Sequence, residues 1–189
     1  MSAQRGRVFL WLPLLALALT PLILLWAPPP LSHKLEVGAL LSVLPERCER
    51  VALYMGYPAC QTECPQALHA LASREEARCE RCCVLFVNLY GEGAGSARGA
   101  LDPAQRYLNG FQTSPQWRGV SPPPRVIKAL EAQLSTRSER LQTPLNQPPR
   151  VTHIDLVWLL KRPRSEGRAN MRAWRLVGFT KPTRFVWGF

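Results

Sequence analysis

The longest apolar run of the chain lies close to its N-terminus. Residues 8–27 contain no charged side chain, and a helix of about 20 such residues spans the hydrocarbon core of a membrane. Arg5 and Arg7 precede the run without an acidic residue, which predicts that residues 1–7 stay in the cytoplasm. Three consecutive prolines follow it, and they disfavour the small-residue cleavage site of a signal peptide. We therefore expect an uncleaved transmembrane anchor, with residues 28–34 as a stiff proline-rich spacer.

Residues 35–189 alternate short apolar runs with amphipathic segments. The runs at 51–55 and 83–89 are apolar at almost every position, which is typical of strands buried on both faces of a sheet. Between them, residues 65–78 carry an apolar stripe at helical spacing and begin with a proline. A strand, a helix and a second strand in this order predict a crossover unit with parallel strands.

The C-terminal half predicts two more helices and an antiparallel hairpin. Asp102-Pro103 is a typical helix start, and a second helical stripe runs from Val126 to Leu134. The other predicted segments are a short strand at 116–120, a polar loop at 136–150 long enough to suspect function, and hairpin strands at 154–160 and 171–179 joined by a turn at 162–168. This order predicts an α/β fold, compatible with a thioredoxin-like central sheet with flanking helices in a single domain at 35–189.

The composition excludes a disordered chain, because 47% of the residues are hydrophobic and 20% are charged. The net charge of +11 suggests nucleic-acid binding, but the excess is local: residues 150–189 hold 9 basic and 2 acidic side chains. Such a patch suits anionic lipid, an acidic protein partner or plain solvent. Because the predicted anchor also places the domain outside the cytoplasm, we expect no nucleic-acid partner.

Two cysteines, Cys60 and Cys64, lie between the apolar run at 51–55 and the start of the predicted helix at 65–78. Open α/β sheets bind ligands at this edge, and a helix N-terminus stabilises thiolates. A thiolate attacks disulfides and is also a soft ligand that selects Cu(I). The pair is therefore expected to close a redox disulfide or to hold a metal ion together with a third ligand.

Three histidines compete for the place of third ligand. His33 lies in the spacer, and His69 follows Cys64 by five residues on the predicted helix, which turns it away from that thiol. His153 follows the long loop at the edge of the sheet and can approach the cysteines. From spacing alone a single histidine is more often structural, so the residues leave this assignment open.

The run VALYMGYPACQTECP, which contains both cysteines, resembles the active-site segment of the Sco/SenC family. The resemblance continues through FVNLY, DPAQRYLNGF, GVSPPPRVIKALEAQL and THIDLVWLL, over about residues 35–178. Members of this family are membrane-anchored, thioredoxin-like proteins with a Cys-x-x-x-Cys pair and a distant histidine. The sequence departs from the family pattern after the second predicted strand, where the family usually has an acidic residue and residues 88–90 have none.

The resemblance implies a copper ion held by Cys60, Cys64 and His153. It implies a metallochaperone that assists assembly of the dinuclear copper centre of cytochrome c oxidase, with the copper-bearing subunit or another copper chaperone as partner. It also implies a single-pass protein of the cytoplasmic (inner) membrane with its soluble domain in the periplasm. Two alternatives remain: a thiol–disulfide oxidoreductase in which Cys60 attacks and Cys64 resolves, and a membrane-tethered assembly factor with little metal chemistry.

Four further cysteines, Cys48, Cys79, Cys82 and Cys83, lie outside the family motif. Cys48 precedes the first predicted strand and Cys82 the second, and the N-terminal ends of parallel neighbours meet at the pole opposite the Cys60 loop. This placement favours a structural disulfide from Cys48 to Cys79 or Cys82, with Cys83 as a buried strand residue. Free thiols or a second metal site at Cys79-x-x-Cys82 are the alternatives.

Overall fold

The computed structural model describes residues 34–35, 38–75, 79–91, 101–111, 114–142, 150–162 and 174–188. It divides the chain into two units, Met1–Leu31 and Ser32–Phe189, and every described residue belongs to the second. The predicted segments at 1–7, 8–27 and 28–34, apart from Lys34, lie outside the described residues. Within the described part, no helix is both long enough and apolar enough to span a bilayer.

The described residues form a mixed α/β fold around a six-stranded sheet. The strands in chain order are β1 (Lys34–Leu35), β2 (Arg50–Gly56), β3 (Cys82–Asn88), β4 (Trp117–Val120), β5 (Glu139–Leu141), β6 (Arg150–Thr152), β7 (Val157–Lys161) and β8 (Trp174–Thr180). The central sheet has the order β1-β8-β7-β2-β3-β4, and β5 pairs with β6 alone. The helices are α1 (Gly38–Leu41), α2 (Glu63–Glu75), α3 (Pro103–Asn109) and α4 (Pro124–Gln133), and a 3-10 turn follows at Pro182–Arg184.

The centre of the sheet is the parallel pair β2 and β3. Every residue of β3 and all but the first of β2 are buried, because both faces of these strands are covered. β3 also pairs in parallel with β4, whereas β2 pairs antiparallel with β7. The predicted crossover unit and the antiparallel hairpin of β7 with β8 are both confirmed.

The first residues of two helices can be compared with those that local sequence signals predict. α3 begins as predicted, with Pro103 at its first position and the Asp102 carboxylate accepting a hydrogen bond from the Ala104 N–H at 2.8 Å. α2 begins at Glu63 and not at the predicted Pro65. Proline fits anywhere in a first turn, because the N–H groups there have no partner within the helix. This start places Cys64 inside the helix.

The second half of the chain differs from the prediction in detail. The segment predicted as a loop at 136–150 contains β5 and leads into β6, and residues 143–149 lie outside the described part. The strand predicted from residue 154 begins at Val157, so the preceding segment 153–156 has no regular structure. The predicted turn after β7 and the first residues of the last predicted strand, at 163–173, also lie outside the described residues.

The C-terminal tail packs against α2. Phe185 is completely buried and Trp187 nearly so. The Arg74 guanidinium on α2 donates to the backbone carbonyls of Phe185 and Thr183, and Arg50 donates to the carbonyl of Trp187 at 2.9 Å. The tail is therefore part of the domain's packed surface.

Two disulfides lie at the N-terminal end of β3, and their pairing corrects the prediction. Cys48 bonds to Cys83 and Cys79 bonds to Cys82, with Cα–Cα distances of 5.8 and 5.2 Å. Successive residues of a strand point to opposite faces, so Cys82 and Cys83 cannot both face Cys48. The prediction of Cys48 with Cys79 or Cys82 is therefore wrong in its partner, and Cys83 is buried but not free.

Candidate functional site

Cys60 and Cys64 lie at the edge of the sheet where β2 ends. The chain turns after β2 with a hydrogen bond from the Cys60 N–H to the Tyr57 carbonyl at 3.0 Å. α2 then starts, and the backbone N–H of Cys64 points at Cys60 Sγ at 3.3 Å. The bend after β2 and the first turn of α2 thus place Cys60 Sγ beside the backbone N–H of Cys64.

Cys64 is the more deeply buried of the two thiols, with no exposed surface against 6% for Cys60. Its sulfur occupies space that a side chain at Gly56 would fill, since a Cβ there would lie 2.8 Å from Cys64 Sγ. Burial raises the pKa of the Cys64 thiol to about 12, because the charged form loses its hydration. In the metal-free protein at neutral pH, Cys64 therefore carries a proton.

His153 approaches this thiol from the other side of the site. It follows β6 directly, and its Nε2 lies 3.9 Å from Cys64 Sγ. Its Nδ1 lies 3.3 Å from the carbonyl oxygen of Ile154. A proton on Nδ1 would donate to that carbonyl and leave the lone pair of Nε2 facing the sulfur. The rings of Tyr54 and Tyr57 flank the imidazole edge-on, both with centroid distances of 6.3 Å.

Tyr54 and Asp155 join the strand to the segment that carries His153. The Tyr54 hydroxyl donates to Asp155 Oδ1 at 3.0 Å, and burial raises the pKa of Tyr54 above its usual range. This bond ties β2 to residues 153–156, which have no strand partner of their own. Sequence reasoning missed both residues, although Asp155 stands only two positions after the proposed histidine ligand.

Glu63 adds an acidic group at the rim. Its Oε2 lies 3.6 Å from Cys60 Sγ and also accepts a hydrogen bond from the Thr62 hydroxyl. The hydroxyl bond is the main reason that the pKa of Glu63 is lowered. The carboxylate is therefore ionised beside the more accessible thiol.

The structure thus brings Cys60, Cys64 and His153 into one neighbourhood and leaves His69 out of it. His69 lies on the exposed side of α2, where its ring meets Phe111 edge-on at 5.1 Å between centroids, and His33 lies outside the described residues. Cys64 is adjacent to both other side chains, but in the described ranges no three His, Cys, Asp or Glu side chains already converge on one point as a metal site does.

A shallow depression of about 330 Å³ borders His153, with Arg137, Glu139, Thr152 and Ile154 in its walls. Arg137 and Glu139 belong to the polar segment at 136–150, for which the sequence suggests a function, and the other residues belong to β6 or follow it directly. Ile154 is 48% exposed. The histidine side of the site is therefore open to a partner, while the Cys64 side is closed by the core.

No protein-family model and no curated protein matches the sequence. Among solved structures, the solution structure of the apo Sco1 protein from Thermus thermophilus superposes with a TM-score of 0.55 and 26% identity, and the match covers 82% of this chain and 83% of that chain. This solved structure supports membership of the chain in the Sco/SenC family. The crystal structure of Arabidopsis thaliana ScoI with copper bound matches with a TM-score of 0.51 and 18% identity, over 70% of this chain and 74% of that chain, and it supports the fold.

Asn88 occupies the place at the end of β3 where the sequence lacks the acidic residue that the Sco/SenC resemblance implies. It is buried, its Nδ2 donates to Ser121 Oγ at 3.1 Å, and its Oδ1 accepts from the Tyr90 N–H at 3.0 Å. Ser121 Oγ in turn donates to the Asp102 carboxylate at 2.6 Å, so the hydroxyl must accept from residue 88. A carboxylate at residue 88 cannot donate this hydrogen bond, which explains the amide.

Proposed function

We propose that the protein is a copper metallochaperone that carries the ion between the thiolates of Cys60 and Cys64 and the neutral imidazole of His153. The observation that carries the proposal is the position of Cys64, whose backbone N–H lies 3.3 Å from Cys60 Sγ and whose own Sγ lies 3.9 Å from His153 Nε2. Two thiolates and one imidazole form a soft donor set that suits Cu(I). Copper is the cargo in this proposal.

The spacing of these groups fits one ion after small side-chain rotations. With typical metal–sulfur and metal–nitrogen distances of about 2.3 and 2.0 Å, two ligands of a trigonal site lie roughly 3.7 Å apart. The observed distance of 3.9 Å from Cys64 Sγ to His153 Nε2 is close to that value. A rotation of the Cys60 side chain would bring the third donor to the same point.

Competition between protons and copper for the two cysteine sulfurs gives the site a means of releasing the ion. Both cysteines must lose their protons to bind the ion, and burial makes this costly at Cys64, whose pKa is about 12. The ion is held on the side closed by the core, and His153 stands between it and the open depression. A partner that supplies its own thiolates or imidazoles at that side would displace His153 first.

The recipient and the location belong to the same proposal. We expect the recipient to be the copper centre of cytochrome c oxidase, reached through its copper-bearing subunit or another copper chaperone. The uncharged run at 8–27 supports a single-pass anchor in the cytoplasmic membrane with the domain in the periplasm. Disulfides are stable in such a compartment.

The test is His153→Ala in the full-length protein, with His69→Ala as the matched control. We expect His153→Ala to weaken Cu(I) binding at least about tenfold, which is about 1.4 kcal/mol, because the site loses one of three ligands. His69→Ala should bind as the unsubstituted protein does, since His69 packs on Phe111 away from the cysteines. The measurement is an anaerobic Cu(I) titration against a competing chelator. Equal affinities for the two variants would refute the site.

A thiol–disulfide oxidoreductase is the second candidate, and one contact favours it. The Cys64 N–H points at Cys60 Sγ at 3.3 Å in the first turn of α2, and Cys60 is the less buried thiol, so it is the one that a disulfide substrate can reach. Exchange through Cys60 and Cys64 needs no histidine. His153→Ala should therefore leave closure of the Cys60–Cys64 disulfide intact under either function. Unsubstituted protein that exchanges disulfides but binds no Cu(I) would favour the oxidoreductase.

A further inference from the structure

The Cys79–Cys82 disulfide lies at the pole of the sheet opposite Cys60 and Cys64, where β3 begins. Cys82 is 2% exposed, whereas Cys79 is only half-buried. Cys79 borders two surface depressions. One, of about 590 Å³, is walled by Glu49, Arg50, Glu80 and Arg81. The other, of about 480 Å³, lies between α2 and the tail. One sulfur of the disulfide is thus accessible and the other is covered.

This disulfide contributes little to holding its own turn. The Cys82 N–H already donates to the Cys79 carbonyl at 3.1 Å, and the Arg81 carbonyl accepts from the N–H groups of Glu49 and Arg50 at 2.8 and 3.2 Å. The bridge spans a sequence separation of 3 residues, and the entropy that a disulfide removes from the unfolded chain grows with this separation. Its structural contribution is therefore smaller than that of a long-range bridge.

The neighbouring Cys48–Cys83 disulfide has the opposite character. It spans 35 residues, and its cysteines are 0% and 1% exposed. The chain thus places a shielded disulfide and an accessible one side by side at one end of the same strand. The shielded bridge serves as an internal control for the accessible one.

We propose that Cys79–Cys82 is a thiol–disulfide exchange site that accepts two electrons from a protein dithiol, independently of the copper site. Arg50 and Arg81 line the depression at Cys79 together with Glu49 and Glu80, and Arg81 pairs with Glu49 at 2.5 Å, so this depression carries no excess of either charge. The depression between α2 and the tail is lined by Arg74, Phe185, Val186 and Trp187 as well as Cys79. Such an apolar and basic surface suits an extended peptide segment rather than a small thiol.

The chain and the partner together supply every group that the exchange needs. A thiolate of the partner attacks Cys79 Sγ and forms a mixed disulfide, and the Cys79–Cys82 bond breaks with its electron pair on Cys82 Sγ, which takes a proton from water. The second thiol of the partner, as thiolate, then attacks the partner's own sulfur in the mixed disulfide. Cys79 leaves as a thiolate and is protonated in turn. The partner's dithiol is oxidised to a disulfide, and Cys79–Cys82 is reduced to two thiols.

The first test compares the two disulfides in one molecule. Full-length protein carrying Cys60→Ser and Cys64→Ser is incubated with a synthetic Cys-Gly-Gly-Cys peptide in its dithiol form, quenched by alkylation, and mapped by mass spectrometry. We expect Cys79–Cys82 to open at least about tenfold faster than Cys48–Cys83, because only Cys79 is accessible. Equal rates for the two bridges would overturn the proposal, and this comparison requires no change at either disulfide.

The second test asks which sulfur is attacked. In the same background, Cys82→Ser leaves Cys79 as a free thiol. This thiol should attack a Cys-Gly-Gly-Ser peptide supplied as its thiopyridyl disulfide, displace thiopyridone and hold the peptide as a lasting mixed disulfide. The buried Cys82 of Cys79→Ser should not, and glutathione activated in the same way is the comparison. Equal capture by both variants, or equal capture of glutathione and of the peptide on Cys79, would overturn the assignment to a protein dithiol. The double variant Cys79→Ser with Cys82→Ser, in a chain that keeps Cys60 and Cys64, should bind Cu(I) as the unsubstituted protein does. Failure of the exchange proposal would therefore leave the copper proposal unaffected.

Discussion

At the scale of single residues, the burial of Cys64 determines how the fold responds to alkali. The fold holds this thiol without exposed surface, and its pKa rises to about 12, against about 8.5 in an unfolded chain. A raised pKa means that the folded state keeps a proton which the unfolded state has lost. The contribution to stability is complete below the unfolded pKa and disappears as the pH rises through the folded pKa.

This predicts an alkaline loss of stability that depends on Cys64. Between pH about 8.5 and 12, the free energy of unfolding of the reduced, copper-free protein should fall by up to about 1 kcal/mol per pH unit more than that of Cys64→Ala. The measurement is denaturant unfolding at a series of pH values. Cys60→Ala is the control and should keep most of the slope, because the buried Cys64 thiol remains. Parallel curves for Cys64→Ala and the unsubstituted protein would contradict the prediction.

At the scale of elements, the packing of α3 on β4 depends on the absence of a side chain at Gly119. A Cβ at this position would lie 2.4 Å from the carbonyl carbon of Ala104 and 2.5 Å from the Gln105 nitrogen. Both atoms belong to the helix backbone, which cannot rotate away as a side chain can. The Gly119 N–H also donates to the Gln105 side chain at 2.8 Å. This close approach joins the edge strand of the sheet to its helix.

Gly119→Ala should therefore be strongly destabilising, by about 3 kcal/mol or more, because the helix must shift away from the sheet. Gly178→Ala is the matched control: Gly178 also lies in a strand, β8, but a Cβ there would meet only Leu159 Cδ1, at 3.9 Å. The control should change the free energy of unfolding by less than about 1 kcal/mol. Denaturant midpoints measure both variants, and similar midpoints would show that α3 yields more easily than its backbone contacts indicate.

The elements that sequence reasoning found are those with a strong burial pattern. β2 and β3 are apolar along nearly their whole length, and Asp102 with Pro103 marks the start of α3. β5 was missed because all three of its residues are exposed, and such a strand leaves no alternation in the sequence. The prediction of the disulfide partners is wrong because Cys82 and Cys83 face opposite sides of β3, and it is Cys83 that faces Cys48. The place of His153 depends on tertiary contacts with Tyr54 and Tyr57, which no local pattern encodes.

At the scale of the whole molecule, the parallel pair β2 and β3 separates two kinds of sulfur site. Cys60 and Cys64 follow the end of β2, and the four disulfide cysteines surround the start of β3. The strands are seven residues long, which puts the two poles about 20 Å apart at roughly 3.3 Å per residue. The long-range Cys48–Cys83 bridge is the one that constrains the unfolded chain.

Removing that bridge should cost more stability than removing the local one. Cys48→Ala with Cys83→Ala is expected to lower the free energy of unfolding by about 4 kcal/mol, and Cys79→Ala with Cys82→Ala by about 2 kcal/mol or less, from the entropy of closing a long and a short loop. Denaturant unfolding of oxidised samples measures both. A loss at least as large for the local pair would mean that Cys79–Cys82 has a structural role after all.

The distance between the poles also governs how copper loading is to be normalised. Exchange between sulfurs requires direct contact, so Cys60 and Cys64 cannot reach the disulfides within one molecule. The oxidised chain presents two free thiols, both at the proposed copper site. A reductant that opens Cys79–Cys82 adds two more thiols at the opposite pole, outside that site. If each chain holds one ion at the proposed site, the copper-to-thiol ratio is one to two before this treatment and one to four after it. Fully loaded protein would then be mistaken for half-loaded protein.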